Sequence, residues 1–204
     1  HSTHREEAMS VSHGVYLDQD GVLADFVSGI CQAHGRDDPY HREDSKGVWD
    51  IWELWDIPLE EFWKPCEYDF WRGLPKTPEA DFLEKIASWA AYMSSWITKT
   101  HVQVRVITMP SENDGCVAGK LDWLDHHYPH LGHEVIFERD KWRYAKVAPG
   151  SLLIDDNAKN CDKWEKAGGT AVLVPRPWNH SWQQAGGVME VVRNGVGKWL
   201  AEGN

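Results

Sequence analysis

The chain has 204 residues, room for one domain of ordinary size plus a modest insertion. Its hydrophobic content of 42% and charged content of 26% are those of a globular protein, and no apolar run approaches the ~20 residues that span a bilayer. A formal charge of −11 argues against an extended nucleic-acid face, because phosphate backbones are held by Lys and Arg clusters. It still permits one small anion where metal and a few cations are concentrated.

The start is polar rather than a signal-peptide core, and Met9 is a candidate natural start. Residues 1–10 are therefore expected to be a disordered or expression-derived extension. Gly14 to Leu17 is a short apolar run that ends in acid residues, as a buried parallel strand does. Phe26 to Gly73 is too long for a simple crossover. It carries Val48, Ile51, Trp52 and Trp55 at helical spacing, so residues 27–73 are expected to form a small helical cap. Five of the 13 Trp residues (Trp49, Trp52, Trp55, Trp63 and Trp71) fall in this stretch. At such spacing they read first as the core of the cap.

Thr77 to Trp96 predicts a long helix, with Thr77 as cap, Pro78 in the first turn, and Phe82, Ile86, Trp89 and Met93 on one side. Val102 to Ile107 predicts the second strand, and Val117, Leu121, Leu124 and Tyr128 stripe the helix after it. Glu134 to Phe137, Ser151 to Ile154 and Thr170 to Val174 predict three more strands, and Val188 to Leu200 a weaker helix broken by Gly195 and Gly197. Residues 11–26 and 74–204 thus read as an α/β core, a doubly wound, Rossmann-like parallel sheet with helices on both faces. Ligands of such sheets sit at the carboxyl ends of the strands.

At the end of the first strand stands Asp18-Gln19-Asp20-Gly21-Val22-Leu23-Ala24-Asp25. Carboxylates at i and i+2 of an extended segment point the same way, and Gly21 permits a sharp exit. Such a pair can divide phosphoryl transfer, one attacking phosphorus while the other protonates the leaving oxygen. A divalent cation makes carboxylate attack on an anion electrostatically tolerable. Taken alone the motif also reads as an acid-rich turn or another Mg²⁺ or Ca²⁺ loop.

The stretch resembles the first signature of the haloacid-dehalogenase-like (HAD) phosphatases. Three later features follow in that family's order: Thr108 after the second strand, Lys141 in ERDK, and Asp155 with Asp156 in LLIDD. The resemblance implies a Mg²⁺-dependent phosphohydrolase. Asp18 would be the nucleophile, forming an aspartyl-phosphate, and Asp20 the general acid and base. Thr108 would hold phosphoryl oxygens and Lys141 neutralise charge. Mg²⁺ would be bound by Asp18, the Asp20 carbonyl and the late pair, with Asp156 expected as the direct ligand and Asp155 behind it.

Within that superfamily the chain is most similar to the 5′(3′)-deoxyribonucleotidases. LDQDGVLADF, FWRGLPKTPEA, TMP and RDK carry the similarity. It implies that Phe70 and Trp71 contact a nucleobase, that Arg139 helps hold the phosphate, and that Met109 stands beside it where the family usually shows Ser. The expected partner is a small nucleotide, in the cytoplasm, with a homodimer left open. A sugar phosphate or a nucleic-acid terminal phosphate is the alternative ester, and transfer to an acceptor other than water the alternative outcome. A silent binding module is disfavoured because both Asp18 and Asp20 are present. Cys31, Cys66, Cys116 and Cys161 lack metal or disulfide spacing and read as reduced thiols. Asp125, His126, His127, His130 and His133 read as helix-end decoration rather than a metal cluster.

Overall fold

A computed structural model describes residues 13–132, 135–184 and 186–203. The expectation for residues 1–10 lies outside them, as do Glu134 of the third expected strand and His133. Five parallel strands form one sheet in the order β3-β2-β1-β4-β5. They are β1 (Gly14–Leu17), β2 (Gln103–Thr108), β3 (Val135–Phe137), β4 (Leu152–Asp155) and β5 (Thr170–Leu173). Each falls within a residue of its predicted place. The chain leaves central β1 for β2 on one side and later crosses to β4 on the other, which makes the carboxyl end of β1 the topological switch point.

Strand alternation divides the core into two layers. Val15, Leu17, Val106, Leu152, Ile154 and Val172 face the layer holding α5 (Ala80–Thr98) and α9 (Gly187–Ala201). Tyr16, Ile107, Ile136 and Leu153 face the opposite layer, with Trp164 and Ala145 packed against them. Those two residues come from α8 (Ala158–Lys166) and α7 (Trp142–Val147).

Three local expectations change. Thr77 does not cap α5; its hydroxyl donates to the Val22 carbonyl at 2.6 Å and its N–H to that of Leu23 at 2.8 Å, pinning the return of the inserted segment to its departure. The buried side of α5 is Leu83, Ile86, Ala87, Ala90, Ala91 and Ser94, so of the expected stripe Ile86 is buried, Phe82 packs partly against the core and Trp89 is half exposed. Small residues let the helix lie close on the sheet, and the buried side is rotated from the expected one. In α9 the glycines do not break the helix: a Cβ on Gly195 would stand 2.5 Å from Val172, so that glycine lets α9 approach β5 closely.

Between β1 and β2 the chain forms α1 (Phe26–His34), two 3₁₀ turns, α2 (Ile51–Trp55), α3 (Leu59–Trp63) and α4 (Tyr68–Arg72). The expected helix from Val48 is only α2, which ends at Asp56 in a left-handed conformation. The buried Tyr40, Ile51, Phe62 and Trp71 join the same apolar cluster as the sheet, so the insertion shares its core with the α/β body. Among the described residues no helix is long and apolar enough to cross a membrane. All four cysteines are buried and free.

Candidate active site

The carboxyl ends of β1 and β4 put Asp18, Asp155 and Asp156 side by side, all buried, with one oxygen of each within 4.8 Å of the others. Lys141, just before α7, points into this group. Its Nζ lies 2.8 Å from Asp18 Oδ1 and 2.7 Å from Asp155 Oδ2. Gly21 turns with φ 72°, and a Cβ there would meet Asp156 Oδ2 at 2.0 Å, so only glycine lets the Asp18 loop close against Asp156.

Burial, then Asp155, push the Asp18 carboxyl up to about 7, against the partial counterweight of Lys141. Burial, then Asp155 and Asp18, also raise Asp156 well above the carboxylate range. Burial works against the charge on Lys141, but Asp155 and Asp18 outweigh it and hold its pKa above the usual lysine value. Three buried carboxylates against one ammonium leave an excess of negative charge. That donor set fits a hard divalent cation.

Asp155 is saturated by protein. Its Oδ1 accepts from the Asn157 N–H at 2.7 Å, and its Oδ2 from Lys141 and from Asn160 Nδ2 at 3.2 Å. Among the described residues Asp156 Oδ2 instead accepts only a neutral donor, Trp178 Nε1 at 2.6 Å.

Asp20 sits beside the trio on a cavity of about 1730 Å³ that also exposes Asp18, Lys141 and Asp156. Its Oδ2 takes a 2.5 Å ion pair from Lys120, while its buried Oδ1 makes no hydrogen bond among the described residues. Lys120 is the residue that motif reading missed. It is fully buried on α6 (Cys116–His127), and its Nζ also donates to Thr108 Oγ1 and to the Met109 carbonyl, each at 2.9 Å. Its signal was present in sequence: Cys116, Lys120, Trp123 and Leu124 lie at i, i+4, i+7 and i+8, a buried stripe with a lysine inside it. Of the expected stripe Leu124 and Tyr128 are buried and Leu121 is partly so, while Val117 is exposed.

Thr108 ends β2 as expected, but its hydroxyl is enclosed and is not on the cavity wall. Met109 and Arg139 are on the wall, both substantially exposed, with Arg139 3.7 Å from Glu112. The aromatic pair divides by depth. Trp71 is 2% exposed. Its Nε1 donates to the Cys66 carbonyl at 2.9 Å, Phe26 stacks 5.8 Å away, and the Lys120 ammonium lies 4.7 Å over its ring. Phe70 packs edge-on to Phe26 and does not line the cavity. Trp71 still borders the cavity, and the half-buried Phe26, Trp52, Trp63 and Trp178 make up the more exposed part of its aromatic wall. Among the described residues the histidines near the end of α6 form no candidate metal group.

The family model for "5′ nucleotidase, deoxy (pyrimidine), cytosolic type C protein" matches residues 12–190. The chain belongs to this family. It is therefore a HAD-type nucleotidase by descent. Curated relatives are the 5′(3′)-deoxyribonucleotidases of Bacillus subtilis (strain 168) and of Bacillus phage SPbeta. Each is 23% identical over 169 residues, covering 82% of this chain and 87% of the relative. Among solved structures, a family IA, variant 3 HAD hydrolase from Entamoeba histolytica aligns with a TM-score of 0.45 and 13% identity. That alignment covers 89% of this chain and 100% of the other.

Proposed function

We propose that the protein hydrolyses the phosphomonoester of (deoxy)nucleoside monophosphates, in the cytoplasm, through a phosphorylated Asp18. The observation that carries the reading is the position of Asp18, on the cavity floor between Lys141 and the Asp155–Asp156 pair. The names of the family and of the relatives supply the nucleotide.

An Asp18 oxygen attacks phosphorus, the bond to the nucleoside oxygen breaks, and Asp20 gives that oxygen its proton. Asp20 then takes a proton from water, whose oxygen attacks the aspartyl-phosphate to release inorganic phosphate and restore Asp18. The unpartnered Oδ1 of Asp20 supports its assignment as the proton carrier. Lys141 offsets charge shared by Asp18 and the phosphoryl group, and Arg139 at the rim supplies a further cation. Lys120 holds Asp20 and Thr108 from behind. Residues 27–73 act as the cap, whose Trp52 and Trp63 face the base together with Phe26 and Trp178.

Asp18 and Asp156 side chains, with the Asp20 carbonyl, would hold Mg²⁺, whose charge offsets repulsion between carboxylate and phosphate. The saturation of Asp155 by Lys141, Asn157 and Asn160 supports Asp156 as the direct ligand.

Phosphate release from nucleoside monophosphates, sugar phosphates and an aryl phosphate, with Mg²⁺ and with excess EDTA, tests the reading. Turnover should be highest on a nucleotide, vanish in EDTA, and be absent in Asp18→Asn. Preference for sugar phosphates overturns the nucleotide assignment, and near wild-type turnover by Asp18→Asn overturns the covalent route.

A further inference from the structure

The loop after β5, residues 175–182, ties together parts of the molecule that the chemistry needs in register. Arg176 donates from Nε to the Gly21 carbonyl at 2.6 Å and pairs with Glu79 at 2.8 Å. Asn179 is buried, and its Nδ2 donates to the carbonyls of Asp156 at 2.8 Å and Val174 at 2.9 Å. Its Oδ1 in turn accepts from Ser181 Oγ at 2.7 Å. The loop thus grips the backbone of both the Asp18–Gly21 turn and Asp156.

Between these anchors Trp178 reaches into the cavity. Its indole N–H ends 2.6 Å from Asp156 Oδ2, and its ring lies 5.6 Å from that of Tyr40 in the inserted segment. A second tie to that segment runs beside it, from the Gly47 N–H to the Pro177 carbonyl at 2.7 Å.

We propose that Trp178 is a positioning residue for the divalent cation: its N–H fixes the rotation of the Asp156 carboxylate, and its contact with Tyr40 sets that carboxylate relative to the inserted segment. The inference rests on the metal site of the function proposed above. The nature of the donor carries it. A carboxylate left free to rotate must be ordered when it takes up a cation, so a pre-formed hydrogen bond improves affinity. A Lys or Arg in the same place would order it equally well but would neutralise the charge the cation needs. An indole orders it and carries no charge. The pair shows both arrangements: Asp155 is saturated and neutralised by Lys141, whereas Asp156 is oriented by a donor that brings no countercharge.

The test is Mg²⁺ binding to the full chain by isothermal titration calorimetry without substrate, comparing wild type, Trp178→Phe and Trp178→His. Trp178→Phe removes the donor and keeps an aromatic ring, and should raise Kd about 10- to 100-fold, the usual loss for a partner of a metal ligand. Trp178→His keeps a ring N–H and should lose clearly less. Metal-free melting temperatures of both variants show that the fold is intact, and if Trp178→Phe does not fold, Trp178→His alone decides. In that case retention of Mg²⁺ binding within ~10-fold of wild type supports the proposal, and a greater loss overturns it. Where both fold, wild-type Mg²⁺ affinity in Trp178→Phe, or an equal loss in the two variants, overturns it. A wild-type chain that binds no Mg²⁺ overturns it too, and with it the metal site of the proposed function.

Discussion

The ammonium of Lys120 has three acceptors, Asp20 Oδ2, Thr108 Oγ1 and the Met109 carbonyl, and so is fully satisfied without water. Lys120 is buried but Asp20 is partly exposed on the cavity, so removing the ammonium costs the hydrogen bonds to a charged group, about 1.5–3 kcal/mol, rather than a fully buried charge. Lys120→Met should therefore lower stability toward denaturant, and should also free Asp20 to rotate away from the leaving oxygen. On a nucleotide kcat should fall ~10²- to 10⁴-fold, the range of a positioned acid–base group. An aryl phosphate, whose leaving oxygen needs no proton, should lose much less. Equal losses on both substrates would mark Lys120 as a structural support only. The acids Asp18, Asp20, Asp155 and Asp156 were legible because each stands where an apolar strand runs into a polar turn. Lys120 was harder to read, because a lysine on a helix ordinarily faces solvent and its only signal was its place inside the stripe of Cys116, Trp123 and Leu124.

At the scale of elements, the rings that look alike in sequence divide by depth. Phe70 and Trp71 sit at the return of the inserted segment, where α4 packs on α6; a Cβ on Gly119 would stand 2.8 Å from the Trp71 Cβ. Helical spacing shows which residues share a side, but not which neighbour covers it, and here α6 covers Trp71. Trp63, on α3, is half-buried on the cavity wall beside Phe26. Trp63→Ala should lower kcat/KM for nucleoside monophosphates about 5- to 150-fold, the kinetic equivalent of ~1–3 kcal/mol of base stacking. It should spare an aryl phosphate that does not reach the wall. Trp71→Ala should instead destabilise the fold by about 3–5 kcal/mol and depress both substrates together, since it removes the ring beneath Lys120. Chemical denaturation and paired kinetics separate the two. Selective loss of nucleotide activity in Trp71→Ala would return it to the base. The same limit explains α5: of its expected stripe Ile86 is buried, but the short distance to the sheet favours Leu83, Ala87, Ala90 and Ala91 over Trp89.

Taken as one molecule, the protein folds around a concentration of negative charge. The Asp18 carboxyl has an ordinary value of 3.8 and stands at about 7 in the fold, raised by burial and Asp155, with Asp20 adding to the effect and Lys141 opposing it. Asp156 is raised by burial, Asp155 and Asp18, against Trp178 and Arg176. Between those two values the native state holds protons that the unfolded chain has released. For these groups the unfolded chain is therefore the one favoured by rising pH, and metal-free stability should fall as pH climbs from about 4, with the Asp18 share of the loss complete by about 7. Mg²⁺ takes the place of the protons. The gain in melting temperature on adding Mg²⁺ should be larger near pH 8 than near pH 5, and binding near pH 5 should release protons. Thermal unfolding across this range, with and without Mg²⁺, measures the first effect, and calorimetry in buffers of different ionisation enthalpy the second. Other groups titrate in the same window, so Asp18→Asn is the reference: its metal-free stability should fall less steeply with pH than that of wild type. A Mg²⁺ gain that is flat across the range, or a slope unchanged by Asp18→Asn, would show that the charge of this cluster is balanced by something other than protons and a divalent cation.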